Sequence, residues 1–408
     1  MDNINRPLYL TKLIDYKDKD IVKIVTGIRR CGKSTILDLF HEHLLTCGIS
    51  KENIIHMNLE SLKFRKILNY EAFYDYISEN IAKKGRTYLI FDELQAVEYW
   101  EKAIESFRID FDVDIYITGS NAYLLSNEFS TLLSGRYVEI RMMPLSFKEF
   151  LTFYNLSTNI TIEEKFQKYL QIGGMPILKQ FDFNLSQINE TLEGIYSTVI
   201  LRDVLERNNA TDQHLLKKLV MFLSDNIGSL NSPNSIGNIL KNEGDISSKG
   251  KVNLASSTVN KYIEMLSNAF IIYTVQRYDI KGKQLLKTLN KNYIVDIGFR
   301  NMLLGYRDAD RGHILENIVY LELLRRGYKV YVGKIGDIEV DFVAEKPDEK
   351  LYIQITESLL EKSVYERELR SLKAIGDNYE KIVLSMDKSF IKSDEGIKIV
   401  NIIDFLLS

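Results

Sequence analysis

Gly27-Ile28-Arg29-Arg30-Cys31-Gly32-Lys33-Ser34 sets two glycines five positions apart and follows the second with a lysine and a hydroxyl. Glycines at such positions let the backbone turn tightly and come close to a ligand. The loop N–H groups then converge, and the first turn of a following helix adds more donors and a positive dipole end. A lysine beside such a nest is a point charge for phosphate oxygens, and the next hydroxyl can ligate a hard cation. The spacing fits the phosphate-binding loop G-x-x-x-x-G-K-[ST]. The ligand this chemistry suits is ATP with Mg²⁺. Gly27, Arg30, Cys31, Gly32, Lys33, Ser34 and Thr35 would form the cradle, with Ser34 on the metal.

A second set of chemical groups lies downstream. Thr87-Tyr88-Leu89-Ile90-Phe91-Asp92-Glu93 reads as an apolar strand ending in two acids. Asp92 suits the acid that holds Mg²⁺ through its water shell, and Glu93 the base that orients the attacking water. The plainer alternative is a surface acid pair at a strand end. Val113 to Thr118 reads as another strand, followed by Gly119-Ser120-Asn121. A polar side chain there could sense the γ-phosphate or position water: Asn121 first, then Thr118 and Ser120, against the alternative of a simple turn. Arg136, in Ser134-Gly135-Arg136, could stabilise γ-phosphate charge in its own subunit or a neighbour's, against a solvated or structural role.

These groups need a scaffold. The β-branched run from Ile21 to Val25 leads into the loop, and Ile36, Leu37, Phe40 and Leu44 recur at helical spacing after it. Residues 53–58 and 137–142 read as further strands, and residues 70–83 as an amphipathic helix. Five strands alternating with helices predict a parallel sheet covered on both faces, with the ligand at the strands' carboxyl ends.

The 408 residues predict two to four domains, and an apolar content of 45% with 27% charged residues is ordinary for a globular chain. The net charge of −3 gives no global attraction to nucleic acid, so any DNA contact must be local. The two cysteines make neither a disulfide framework nor a zinc site. Cys31, inside the loop, suits a reducing compartment. Without a signal peptide or an apolar run of membrane-spanning length, a cytoplasmic protein with no membrane partner is expected.

The motifs GIRRCGKST, YLIFDELQ, ITGSN, LLSGRYVEIRMMPLSFKEF and QIGGMP resemble those of the bacterial and archaeal AAA+-type ATPases of the STAND-like group, which carry a C-terminal domain of unknown function. The resemblance covers nearly the full length. It implies an α/β P-loop NTPase core with its parallel sheet, a helical lid, a winged helix and a nuclease-like terminal domain. It also implies that Gly173-Gly174-Met175-Pro176 is a lid turn near the nucleotide base; a helix-breaking turn without a ligand is the alternative reading. Arg202, in a later helix, is a candidate for a nucleotide contact or an interdomain salt bridge.

From about residue 211, three helical patterns precede a hairpin at 270–295, which describes a winged helix. Its third helix would offer Ser257, Thr258, Asn260 and Lys261 to duplex DNA, and the hairpin tip Lys281, Lys283 and Lys287 to phosphates; interdomain packing is the alternative. Residues 313–326 predict an amphipathic helix, and the following order α-β-β-β-α-β resembles the PD-(D/E)xK nuclease fold. Glu316 and Asp341 match its helix and strand acids, and Gln354 stands where its second acid would be. Thr356 replaces the lysine, so the site reads as vestigial unless Lys350 or Lys362 substitutes. For Glu316 the alternative is a buried acid pairing with Arg325 or Arg326 or capping a turn.

The expected organisation is an ATPase core at 1–150, a helical lid at 151–210, a winged helix at 211–300 and a nuclease-like domain at 301–408. The expected activity is ATP binding and hydrolysis that controls binding of DNA or an unidentified protein partner, with a homo-oligomer if Arg136 acts in trans. An ATP-controlled metal-dependent nuclease and a non-hydrolysing nucleotide-binding scaffold are the alternatives.

Overall fold

Runs rich in isoleucine, valine and aromatic residues become strands β1 (Val22–Thr26), β2 (Ile54–Asn58), β3 (Thr87–Asp92), β4 (Val113–Gly119) and β5 (Tyr137–Arg141). All pair in parallel, in the order β2-β3-β4-β1-β5. β1 and β3 are buried along their whole length, as strands covered on both faces must be. This computed structural model describes residues 6–122, 133, 135–206, 212–242, 255–388 and 392–408. The chain divides into two units: Met1–Pro144 with Asn268–Phe270, and Leu145–Ser267 with Ile271–Ser408.

In the first unit the sheet carries helices α1 (Pro7–Asp15), α2 (Lys33–Thr46), α3 (Tyr70–Asn80) and α4 (Trp100–Asp110). Proline at the start of α1 loses nothing there, because that N–H has no helical partner. Val22, Ile24, Leu89, Phe91 and Ile117 of the sheet pack with Phe73 and Phe107 of the helices. The Phe73 ring lies 5.0 Å from Phe91 and 5.6 Å from Phe107, edge to face.

The second unit opens with α5 (Phe147–Tyr154) and α6 (Ile162–Ile172). Each begins with a reciprocal cap, Ser146 with Glu149 and Thr161 with Glu164, which satisfies otherwise orphaned N–H groups. α7 (Leu185–Thr198) runs on into a π-helical stretch, Val199–Glu206. The Arg202 side chain lies outside those described. Helices α8 (Gln213–Asp225), α9 (Pro233–Asn242) and α10 (Ser256–Asn268) precede the hairpin of β6 (Ile272–Asp279) and β7 (Gln284–Ile294).

That hairpin does not stand alone. Its β6 pairs in parallel with β8 (Lys329–Ile335) through Arg277↔Val332, Tyr278↔Gly333 and Asp279↔Lys334. With β9 (Ile338–Lys346), β10 (Glu349–Ile355), β11 (Glu380–Ser385), β12 (Ser393–Asp394) and β13 (Ile397–Asn401) it makes an eight-stranded sheet, ordered β12-β13-β11-β10-β9-β8-β6-β7. Ile280, just past β6, is buried with Val340, Val343, Tyr352 and Leu369, so apolar burial favours the docked hairpin.

α11 (Ile297–Leu304), α12 (Arg311–Arg325), α13 (Lys362–Lys373) and α14 (Ile402–Leu407) complete the unit. The order α12-β8-β9-β10-α13-β11 is the α-β-β-β-α-β order read from the sequence. α12 is not amphipathic as expected: residues 314–323 are all buried, polar ones included. It packs against strands β7 to β10 and against α11 and α14, which leaves no solvent face over that span. Among the described residues, no helix is long and apolar enough to cross a membrane.

Candidate active site

β1 runs straight into the loop, and α2 starts at Lys33. Gly27 has φ +145, and a Cβ there would lie 2.1 Å from the Met142 carbonyl oxygen, so the position admits only glycine. Gly32 has φ +104 and caps α2. The Lys33 ammonium is buried and donates to the carbonyls of Gly27 at 2.9 Å and Ile28 at 3.1 Å. Ser34 and Arg30 are exposed, Thr35 is half-buried and Cys31 is buried, its Sγ 3.6 Å from the Met142 carbonyl. A clamp missed in the sequence holds the loop from outside. The buried Arg6 guanidinium donates to the Cys31 carbonyl at 3.0 Å and lies 4.6 Å from the Tyr9 ring centroid. A lone arginine in a polar N-terminal segment carries no signal of that role.

Asp92 ends β3 and is buried. One of its oxygens accepts from Asn58 Nδ2 at 2.9 Å and the other from Thr118 Oγ1 at 2.5 Å. The Thr118 oxygen in turn accepts from the Glu93 N–H at 3.0 Å. Glu93 sits at φ +53, a left-handed backbone that is uncommon for a long side chain, and its carboxylate accepts from Gln95. Thr118, ranked behind Asn121 in the sequence, is therefore the group that ties both acids together. Asn58, the last residue of β2, was missed; its signal was its place at a strand end beside β3.

Thr26 lies opposite Gly119 in the β1–β4 register, so the phosphate loop and residues 119–121 leave the sheet at the same edge. Asn121 and Ser120 are both buried there. Ser120 Oγ has no hydrogen-bond partner among the described residues. Arg136 does not join them. It precedes β5, its carbonyl accepts from the Val22 N–H at 3.0 Å, and its side chain is exposed. The five residues of β1, at ~3.3 Å each, separate that edge from the loop by about 17 Å. The Arg136 backbone thus lies at the edge of the sheet away from its own subunit's loop; Ser134 beside it lies outside the described residues.

The other sequence candidates belong to the second unit. Gly173 has φ +77, and a Cβ there would lie 2.0 Å from Asp296 Oδ1. Asp296 Oδ2 accepts from the Gly174 N–H at 2.7 Å, and Oδ1 from the Gly298 N–H at 2.8 Å. Asn301 Nδ2 reaches the carbonyls of Leu170 and Gln171. The turn is thus sutured to the start of α11 within its own unit. Burial pushes the Asp296 carboxyl up to about 6, against its N–H donors and Arg325, which favour the charge.

Glu316, Asp341 and Gln354 do come together, around a residue the sequence reading passed over. Lys291 Nζ lies 2.8 Å from Glu316 Oε1, 2.8 Å from Glu339 Oε1 and 3.5 Å from Asp341 Oδ1. Tyr293 donates to Glu316 Oε1 at 2.6 Å. Gln354 Oε1 accepts from the Asp341 N–H at 3.2 Å and from Ser371 at 3.3 Å. Glu322, not Glu316, pairs with Arg325 and Arg326. Lys350 pairs with Glu345, and Lys362 is exposed beside Glu366, so neither supplies the absent lysine. Burial disfavours the Lys291 ammonium, but Glu316, Asp341 and Glu339 outweigh it and hold its pKa above the ordinary lysine value. Among the described residues, no cluster of three or more His, Cys, Asp or Glu is arranged to hold a metal ion.

Of the residues read as a DNA face, Ser257, Asn260 and Lys261 on α10 and Lys281, Lys283 and Lys287 on the hairpin are exposed, and Thr258 is half-buried. Glu264 is exposed one turn beyond Asn260, and Leu285 and Leu289 are exposed beside Lys287.

A family model described as an AAA domain matches residues 19–151, and one described as a domain of unknown function matches residues 163–310. An uncharacterised protein of Haemophilus influenzae is 40% identical over 407 residues, spanning 99% of this chain and 98% of that protein. Another, of Methanocaldococcus jannaschii, is 29% identical over 425 residues, spanning 98% of this chain and 90% of its own. Among solved structures, a Walker-type ATPase of Pyrococcus abyssi superposes with a TM-score of 0.50 at 15% identity, covering 74% of this chain and 95% of its own. At that identity the likeness is one of fold.

Proposed function

The chain belongs to the same family as the Haemophilus influenzae protein, one built on an AAA-type P-loop domain, and from that premise we propose that it binds and hydrolyses ATP. The observation that carries this is the pairing of a glycine-only loop and its buried lysine with two acids joined through Thr118, all in the first unit. The residues fit the ligand: the cradle at Gly27 has no room for a side chain, and Ser120 Oγ is buried and unpartnered among the described residues.

Lys33 would leave the Gly27 and Ile28 carbonyls for the β- and γ-phosphates. The Ser34 hydroxyl and Asp92 would hold Mg²⁺, which when bound offsets the charge of the phosphates. Glu93 would accept the proton of the attacking water, and Thr118 and Asn58 would keep Asp92 oriented. Asn121 would face the γ-phosphate. Arg136 would act only on a neighbouring subunit, in an oligomer.

The proposed output is binding of duplex DNA or a protein partner by the second unit, set by the nucleotide state of the first. The exposed lysines at the hairpin tip support a phosphate contact. Steady-state ATP hydrolysis by wild type, Lys33→Ala and Glu93→Gln, with and without duplex DNA, tests both steps. A basal rate lost in both variants supports turnover, and a DNA-raised rate supports coupling. Wild type no faster than Glu93→Gln would leave a nucleotide-binding scaffold instead.

A further inference from the structure

The fold that the terminal unit resembles would place a divalent cation among Glu316, Asp341 and the residue at 354. The donor set here does not fit that ion. The centre of the cluster is a lysine nitrogen, in contact with Glu316 and Glu339 at 2.8 Å each. Metal–oxygen distances for hard cations are about 2.0–2.6 Å, so an ion at the same point would have to share it with a positive charge. Two of the remaining oxygens are also engaged. Asp341 Oδ2 accepts from the Ile355 N–H at 2.9 Å, and Gln354 Oε1 accepts from the Asp341 N–H and from Ser371.

We propose that the Lys291 ammonium permanently takes the place of a divalent cation in this cluster, so that the second unit takes up no metal and its acids instead lock the β6–β7 hairpin against α12. Strand periodicity delivers the lock. Lys291 and Tyr293 are two residues apart on β7 and therefore share a face, and both reach Glu316 Oε1. The cation is tethered, so its effective concentration is fixed by the chain and exceeds that of a free ion. The lysine is buried together with Glu316 and Asp341, so water competes little for those two carboxylates, while Glu339 is half-exposed at the rim. The missing lysine of the third strand is thereby explained as well: a positive charge already occupies the cluster from the other side.

The experiment uses the full chain, free of nucleotide and carrying Asp92→Asn to silence the first unit. Mn²⁺ alone is titrated up to about 1 mM, the weak end of oxygen-ligand sites, and free Mn²⁺ is followed by its electron paramagnetic resonance signal. The lysine-bearing chain should take up none. Adding Lys291→Met should create uptake of one ion per chain, and adding Asp341→Asn to that variant should abolish it. Uptake by the lysine-bearing chain that Asp341→Asn removes would overturn the proposal. So would a folded Lys291→Met chain, judged by circular dichroism, that binds nothing.

If Lys291→Met does not fold, hydrogen exchange on Glu316→Gln replaces it. The amides of β6 and β7 should exchange at least tenfold faster, while those of β10 and β11 keep their protection. Unchanged exchange in β6 and β7 would refute the lock.

Discussion

Thr118→Val removes one hydroxyl from a buried site and leaves its shape nearly unchanged. The wild-type oxygen donates to Asp92 at 2.5 Å and accepts from the Glu93 N–H at 3.0 Å. A hydrogen bond to a charged group contributes about 1.5–3 kcal/mol, and an orphaned buried N–H costs about 1–3 kcal/mol. The added methyl returns about 0.8 kcal/mol of burial. The balance is a loss of about 2–5 kcal/mol in the stability of the first unit, read by denaturant unfolding without nucleotide. The bond to Asp92 also orients the acid proposed to hold Mg²⁺. If its 1.5–3 kcal/mol is felt in the transition state, kcat falls by about 10- to 150-fold, while the Kd for ATP stays within a few-fold. Thr118→Ser keeps the hydroxyl and should recover most of both losses. Thr118→Val with wild-type kcat and wild-type stability, or a serine variant as poor as valine, would refute the reasoning.

Two further outcomes concern the second unit. Gly173→Ala forces a side chain into a left-handed backbone and to within 2.0 Å of Asp296 Oδ1, so thermal unfolding of that unit should shift down by an amount equivalent to roughly 3 kcal/mol or more. Asp296 gives a pH signature. Its folded pKa of about 6 lies above its ordinary 3.8, so its contribution is fully present below about pH 4 and lost as pH rises through 6. Asp296→Asn cannot titrate. The wild-type minus variant difference in stability should therefore decline by about 2 kcal/mol between pH 4 and 7, and a flat difference would show that the buried carboxyl is not the cause.

Local pattern made the first unit readable. Its central strands β1 and β3 are short, largely apolar runs, and the loop's glycines sit where φ is positive, so residue type and spacing carried the information. The site was less readable because its key contacts cross strands. Thr118 and Asp92 are 26 residues apart, and nothing in ITGSN distinguishes the threonine from its neighbours. Arg136 was read as a γ-phosphate contact, in its own subunit or a neighbour's, or as a structural arginine, and only the parallel register of β5 on β1 shows that it starts at the edge away from the loop. The hairpin was found as a hairpin, but its place in the larger sheet was not legible, because the pairing of Arg277 with Val332 is set by partners 55 residues away. Lys291 was passed over for a related reason. In LNKNYIV it reads as one polar residue in an alternating strand, and only the burial of α12 on every side turns it inward.

The hairpin also bears on inheritance. A chain of beads can be cut between beads, and recombination can trade one for another. Here β6 and β7 precede α12 in the chain yet form the outer strands of the sheet that α12 lies against. A crossover near residue 300 would leave the upstream piece with two strands and no sheet, and the downstream piece with an open edge and an unneutralised cluster of acids. The two stretches can drift in sequence, but they have to travel through descent as one cargo.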